Sequence, residues 1–211
     1  MSGHGHADEP GHEGHTGHSH PGEADRLSVA VLTVSTSRAN EQDRGADERR
    51  GSEAQHSADE RSESETQNGT NPPVDDPGGD ALVAALEADG HRVVARDLVA
   101  DVFGEIRTAV AEFCADERVD VVVTTGGTGV APDDVTVGAV SRLFDTELPG
   151  FGEAFRRESY DDIGPGAIGS RATGGLVTGT PVFCLPGSVG AVELGAELIL
   201  GVAPHLVEVA G

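Results

Sequence analysis

The chain reads as an α/β protein whose mostly parallel sheet is covered by helices on both faces. Two observations predict this. Apolar, β-rich runs alternate with segments whose apolar residues recur at helical spacing, the order that gives parallel strands joined by helical crossovers. In addition, Val121-Val122-Val123-Thr124-Thr125 runs straight into Gly126-Gly127-Thr128-Gly129, as a buried strand does when it brings a backbone turn to the carboxyl edge of a sheet.

Residues 1–25 hold six of the nine histidines among Gly, Glu and Ser, a composition that cannot bury a core and is expected to be disordered. The tract is either an idle solvated tail or a loose Ni²⁺ or Zn²⁺ binder; its irregular spacing fixes no coordination geometry. The domain is expected over residues 26–211. Leu27 to Val34 suits a first, central strand, and from about 37 to 77 the chain is rich in Glu, Asp, Arg, Ser, Gln and Gly. So long a loop is uncommon in a compact domain, and the stretch is expected to be a disordered acidic insertion.

Gly79 to Asp89 places Leu82, Val83 and Leu86 at helical spacing and stops at Gly90. His91 to Val99 is expected as a strand. Val102 to Ala115 is expected as a helix with Phe103, Ile106, Val110 and Phe113 on one stripe and Asp101 at its N-cap. Val119 to Thr125 is the next strand, followed by helices over Thr136 to Phe144 and Phe151 to Ser159. Arg171 to Val177 and Pro181 to Leu185 should pair around Gly179, and Val189 to Val209 should form a closing helix that breaks near Pro204.

All 14 basic residues are Arg, against 37 acidic residues, for a formal charge of −23. The excess is not confined to the low-complexity part, because the chain after Gly79 still carries 21 acids against 8 Arg. At molar salt the Debye length falls to about 3 Å and such self-repulsion nearly vanishes, so a salt-adapted cytoplasm is the expected setting. A GC-rich genome would explain the missing Lys but not the acid excess. No basic stripe is present for nucleic acid. No apolar run reaches about 18 residues and the amino terminus is polar, so neither a membrane span nor a secretory signal is expected. Cys114 and Cys184 lie in apolar surroundings and are expected as free thiols.

Four loops should meet at the carboxyl edge of the sheet. They carry Thr33, Ser35 and Ser37; Asp101; Gly126 to Thr136 with Asp133 and Asp134; and Leu185-Pro186-Gly187-Ser188, where Ser188 can cap the last helix. Glycines allow main-chain N–H groups close to an anion, and aspartates facing such a cradle suit Mg²⁺ shared with phosphate oxygens. On its own the Gly-Gly turn would serve equally to turn a strand into a helix, and Asp101 either caps its helix or faces the site. Without Lys no Walker loop exists, and no Gly-x-Gly-x-x-Gly follows the first strand, which disfavours ordinary kinases and simple dinucleotide dehydrogenases. Arg156, Arg157 and Arg171 either grip phosphate or are paired on an acidic surface.

Thr124-Thr125-Gly126-Gly127-Thr128-Gly129, Asp134-Val135-Thr136, Leu148-Pro149-Gly150-Phe151-Gly152-Glu153, Ser170-Arg171 and Leu185-Pro186-Gly187-Ser188 stand in an order and spacing that resembles the MoaB/MogA family of molybdenum cofactor biosynthesis. Thr33-Val34-Ser35, Asp76 with Gly79, and Gly90-His91 extend the likeness, which spans Arg26 to about Val209 apart from the insertion. The resemblance implies a three-layer α/β/α molybdopterin-binding fold, trimeric or hexameric, and Mg²⁺-dependent adenylylation of molybdopterin by ATP. It implies essential aspartates at Asp101 and Asp134, which would also hold the metal. It further implies binding of nucleotide or pterin through Ser35, Gly126, Gly127, Thr128, Gly129, Thr136, Arg171, Pro186, Gly187 and Ser188. Other cofactor-biosynthesis proteins are the expected partners. The chain departs from the family in its first loop, where the acidic insertion replaces a short Asp-containing turn. Two alternatives stay open: a non-catalytic pterin-binding or assembly protein, and a metal store centred on the histidine tract.

Overall fold

The structure, a computed structural model, describes residues 26–35 and 75–210. The histidine tract, Ser37 and the acidic insertion up to residue 74 lie outside the described residues.

Among the described residues six strands form one sheet: β1 (Ser28–Ser35), β2 (Arg92–Ala100), β3 (Val121–Thr125), β4 (Thr146–Glu147), β5 (Thr173–Val177) and β6 (Thr180–Leu185). Their order across the sheet is β2-β1-β3-β6-β5-β4. The pairs β1–β2, β1–β3 and β3–β6 are parallel, whereas β5 pairs antiparallel with β6 and with β4. The helices are α1 (Pro77–Ala88), α2 (Phe103–Cys114), α3 (Thr136–Val140), α4 (Pro149–Ile163) and α5 (Val189–Ala210), with a 3₁₀ segment at Gly164–Gly169.

Strand β1 shows why the sheet is central. Val29 and Val31 face one layer, while Ala30, Leu32 and Val34 face the other. A period-two strand that is apolar on both sides can be satisfied only between two helix layers. On one side α1, α4 and α5 contribute Leu82, Leu86, Phe155, Val192, Ala196 and Ile199. On the other, α2 and α3 contribute Ile106, Val110, Ala139 and Val140. Each fully buried Leu, Ile or Phe here contributes roughly 1.5–3 kcal/mol. Phe183 of β6 anchors the first layer against Phe151, their ring centroids 4.7 Å apart and tilted by 54°.

Element boundaries differ from the sequence expectation for local reasons. Helix α1 starts at Pro77 because Asp76 is its N-cap, the Asp76 side chain accepting the Gly79 N–H at 2.9 Å; Pro at the first position lacks only an N–H that would go unpaired anyway. Pro149 starts α4 in the same way. Helix α3 ends at Val140 rather than Phe144, because Leu143 and Phe144 donate to carbonyls three residues back and tighten the chain into turns. The two-residue β4 carries too little pattern to be read from sequence. The β5–β6 hairpin turns at Thr178 and Gly179, with φ of 48° and 89°, which is the arrangement of a two-residue primed turn.

Two further corrections concern α2 and α5. The N-cap of α2 is Val102, with no side-chain capping bond, so Asp101 does not cap it. Helix α5 runs unbroken through Pro204 for 22 residues and is, among the described residues, the one helix long and apolar enough to cross a membrane. Its stripe of Val192, Ala196, Ile199 and Ala203 is buried in the first helix layer.

Candidate functional site

Because β1, β2, β3 and β6 are parallel, their carboxyl ends share one edge, and the structure joins all four loops there. The Gly126 N–H donates to the Leu185 carbonyl (3.0 Å) and the Thr125 hydroxyl to the Pro186 carbonyl (3.2 Å). Gly126 (φ 97°) lies so close to the Val34 carbonyl at the end of β1 that a Cβ would strike it. Gly127 (φ 61°) packs against the Thr136 hydroxyl and the Asp101 carboxylate, and a Cβ there would also collide. Both glycines therefore meet two demands, a left-handed backbone and a close approach.

Around this turn the polar groups divide into two. On the β1 side, Thr33, Ser35, Asp76, Gly78, Gly126 and Gly187 line a groove of about 120 Å³. Asp76 is tied there by the Thr33 hydroxyl (2.7 Å) and by Arg96, whose Nη2 also reaches Asp80. Arg96 carried no motif in the sequence; the sole hint was two carboxylates, Asp76 and Asp80, stacked on the first turn of a helix.

On the β2 side, the Asp101 carboxylate accepts the Val135 N–H through Oδ1 at a long 3.4 Å. Its Oδ2 is buried and unpartnered, as is the Thr136 hydroxyl beside the same glycine. Leaving such atoms without a partner costs about 1–3 kcal/mol each, a cost that a cation or polar ligand group at this edge would relieve. Burial pushes the Asp101 carboxyl above the usual carboxylate range; the Val135 N–H opposes it, and the charges of Asp134 and Asp133 add smaller upward pushes. Asp134 folds onto its own turn, its Oδ2 accepting the Ala131 N–H at 2.9 Å. Among the described residues no three His, Cys, Asp or Glu side chains converge on one point. Aspartates so arranged suit a cation that brings phosphate oxygens with it.

The remaining residues expected at the site divide similarly. Thr128, Gly129 and Arg171 belong to it, with Arg171 Nε on the Gly129 carbonyl and Nη2 on the Asp134 carbonyl, both at 2.6 Å. Pro186 and Gly187 pack against the glycine turn, and Ser188 precedes α5, its carbonyl accepting the Val192 N–H. Arg156 instead ties α4 to the Ala172 carbonyl, and Arg157 pairs with Glu158 on an exposed flank. Two larger clefts lie along α4 and include neither Asp101 nor Asp134: one of about 520 Å³ lined mainly by apolar residues, and one of about 600 Å³ that Arg156, Arg157 and Tyr160 help line. Cys184 is buried and Cys114 half-buried; both are free thiols pushed up to about 12 by burial.

A doubly covered sheet that gathers a glycine turn, Asp101, Asp134 and unpaired buried oxygens at one carboxyl edge has the architecture of an α/β ligand-binding domain. The family profile described as "Probable molybdopterin binding domain" matches residues 30–205, and the chain belongs to that family, in its MoaB/MogA branch. It is 46% identical over 134 residues to molybdenum cofactor biosynthesis protein B of Bacillus subtilis, covering 63% of this chain and 79% of that one. Among solved structures, a molybdenum cofactor biosynthesis protein B superposes with a TM-score of 0.69 at 34% identity, over 88% of this chain and 96% of the other. The tungsten cofactor synthesizing protein MoaB of Pyrococcus furiosus gives 0.65 at 31% identity, over 88% and 97%.

Proposed function

We propose that this protein acts in molybdenum or tungsten cofactor biosynthesis as a molybdopterin adenylyltransferase. The observation that carries the reading is the buried, unpartnered Asp101 Oδ2 beside the Thr136 hydroxyl, with Asp134 near enough for its charge to act on Asp101. Asp101 and Asp134 would hold Mg²⁺, which when bound neutralises polyphosphate charge. An oxygen of the molybdopterin phosphate forms the new bond to the α-phosphorus of ATP, the bond from that phosphorus to the bridging oxygen breaks, and pyrophosphate leaves. A phosphate dianion is already nucleophilic near neutral pH, so no general base is required. The protein's task is to hold two polyanions in line. Backbone N–H groups of Gly127 to Gly129 and of Gly187-Ser188 supply donors, the Gly126 N–H being held by the Leu185 carbonyl, and Ser35 lines the adjoining groove.

A non-catalytic carrier of the pterin would have no use for a carboxylate kept buried at a cost to the fold, which favours the enzyme reading. Replacing Asp101 or Asp134 with Asn is expected to cut turnover by orders of magnitude while pterin binding persists; full activity in both variants would sink the assignment. The same reading extends to the whole chain as a homo-oligomer, trimeric or hexameric, in a salt-rich cytoplasm. The apolar cleft between α4 and α5, lined by Leu148, Phe151, Leu198 and Val202, supports the first part, and the charge of −23 supports the second.

A further inference from the structure

Arg171 stands between the 3₁₀ segment and β5, and three of its N–H groups converge on one loop. Its backbone N–H donates to the Thr128 carbonyl at 3.1 Å, Nε to the Gly129 carbonyl at 2.6 Å and Nη2 to the Asp134 carbonyl at 2.6 Å. The loop leaves the sheet at Gly126 and re-enters regular structure at Thr136, so the guanidinium spans its two limbs. Between those limbs the chain is held mainly by itself: the Asp134 N–H and carboxylate both bond back to Ala131. Its tie to Asp101 is the 3.4 Å contact from the Val135 N–H, long for a hydrogen bond.

We propose that Arg171 is a positioning residue: it clamps the glycine loop so that the Asp134 carboxylate stays near Asp101, and thereby sets the affinity of this pair for a divalent cation. Its role is not to grip a phosphate directly. The proposal rests on the reading of Asp101 and Asp134 as a cation-holding pair. One backbone bond, from the Thr136 N–H to the Gly127 carbonyl at 3.1 Å, also joins the limbs at their base; the guanidinium adds two bonds from separate nitrogens of one planar group further out along the loop. A Lys ammonium keeps the charge yet cannot reproduce the span. A phosphate-gripping role would be partly kept by Lys; a clamp would not.

The test compares wild type with Arg171→Lys, Arg171→Gln, Asp134→Asn and the Arg171→Lys/Asp134→Asn double variant in molar KCl. Mn²⁺ binding is followed by electron paramagnetic resonance with α,β-methylene-ATP present, and amide hydrogen exchange is followed across residues 128–136. Both Arg171 variants are expected to weaken Mn²⁺ binding by about 10–100-fold, the scale seen when supporting partners of metal ligands are removed. Exchange in the loop should quicken while β1 stays protected, and the double variant should bind no worse than Asp134→Asn, because Arg171 acts through that residue. Wild-type Mn²⁺ affinity and unchanged loop exchange in Arg171→Lys would overturn the clamp, as would full additivity in the double variant. If wild type itself bound no Mn²⁺, or Asp134→Asn bound it equally well, the cation reading would fall and the proposed role of Arg171 in cation affinity with it. Loop exchange would then show separately whether the clamp itself survives.

Discussion

At the scale of single residues, Asp101 links fold and chemistry most tightly. Sequence alone left it divided between helix cap and ligand, since an Asp just before an apolar helical stripe fits both; position in space removes the cap, because Val102 holds that place and the carboxylate turns to Gly127. Its carboxyl is held above the usual range by burial and by its acidic neighbours. The folded chain therefore keeps its proton at a pH where the unfolded chain has lost it. Stability from this group falls as pH rises from the ordinary carboxylate value through the raised one, and above that window the cation-free protein bears the whole penalty. Asp101→Asn should accordingly stabilise the metal-free protein at neutral pH, by a fraction of what a fully buried carboxylate would give because solvent still screens this one. It should do nothing at pH values below the ordinary carboxylate range. Thermal unfolding with chelator across pH checks this, and equal melting of both proteins at neutral pH would contradict it. Arg171 was legible as a cation near glycines but not as a clamp, because a fork between Gly129 and Asp134 depends on a loop path that no spacing in sequence encodes.

At the scale of elements, the strands were readable because apolar runs such as Val121–Val123 leave few alternatives, and the four loops followed from parallel connectivity. What was not readable is how α1 locks to the sheet. Asp76 caps α1, accepts the Thr33 hydroxyl from β1 and pairs with Arg96 on β2, so one carboxylate with only 9% of its side chain exposed joins three elements where the acidic insertion ends. Asp76→Ala should cost about 1–2 kcal/mol through loss of the cap alone and should loosen the groove beside Ser35. Asp80→Asn, which removes an exposed partner of the same Arg96, should change stability by less than about 0.5 kcal/mol. Urea unfolding of both variants at fixed salt measures the difference; equal losses would show that Asp76 is no more than a surface ion-pair partner.

At the scale of the whole molecule, acidic surface and anionic substrates appear at odds. A chain of formal charge −23 would repel nucleotide and pterin phosphates alike at low ionic strength, and on the proposed function the backbone N–H groups and cation at the glycine turn would have to overcome that field locally. Molar salt removes most of the conflict by shortening the Debye length to about 3 Å. The melting temperature should therefore rise between 0.1 M and molar KCl, as should affinity for ATP with Mg²⁺. A flat profile in both would detach the charge from salt adaptation. The central claim is that the two aspartates and the glycine turn perform adenylyl transfer, and the most direct test is pyrophosphate release by the purified protein in molar KCl with ATP, Mg²⁺ and molybdopterin, the product identified by mass. The account predicts release that requires all three and yields adenylyl-molybdopterin. Tight binding of the pterin by folded protein with no pyrophosphate formed would contradict it and leave a carrier in its place.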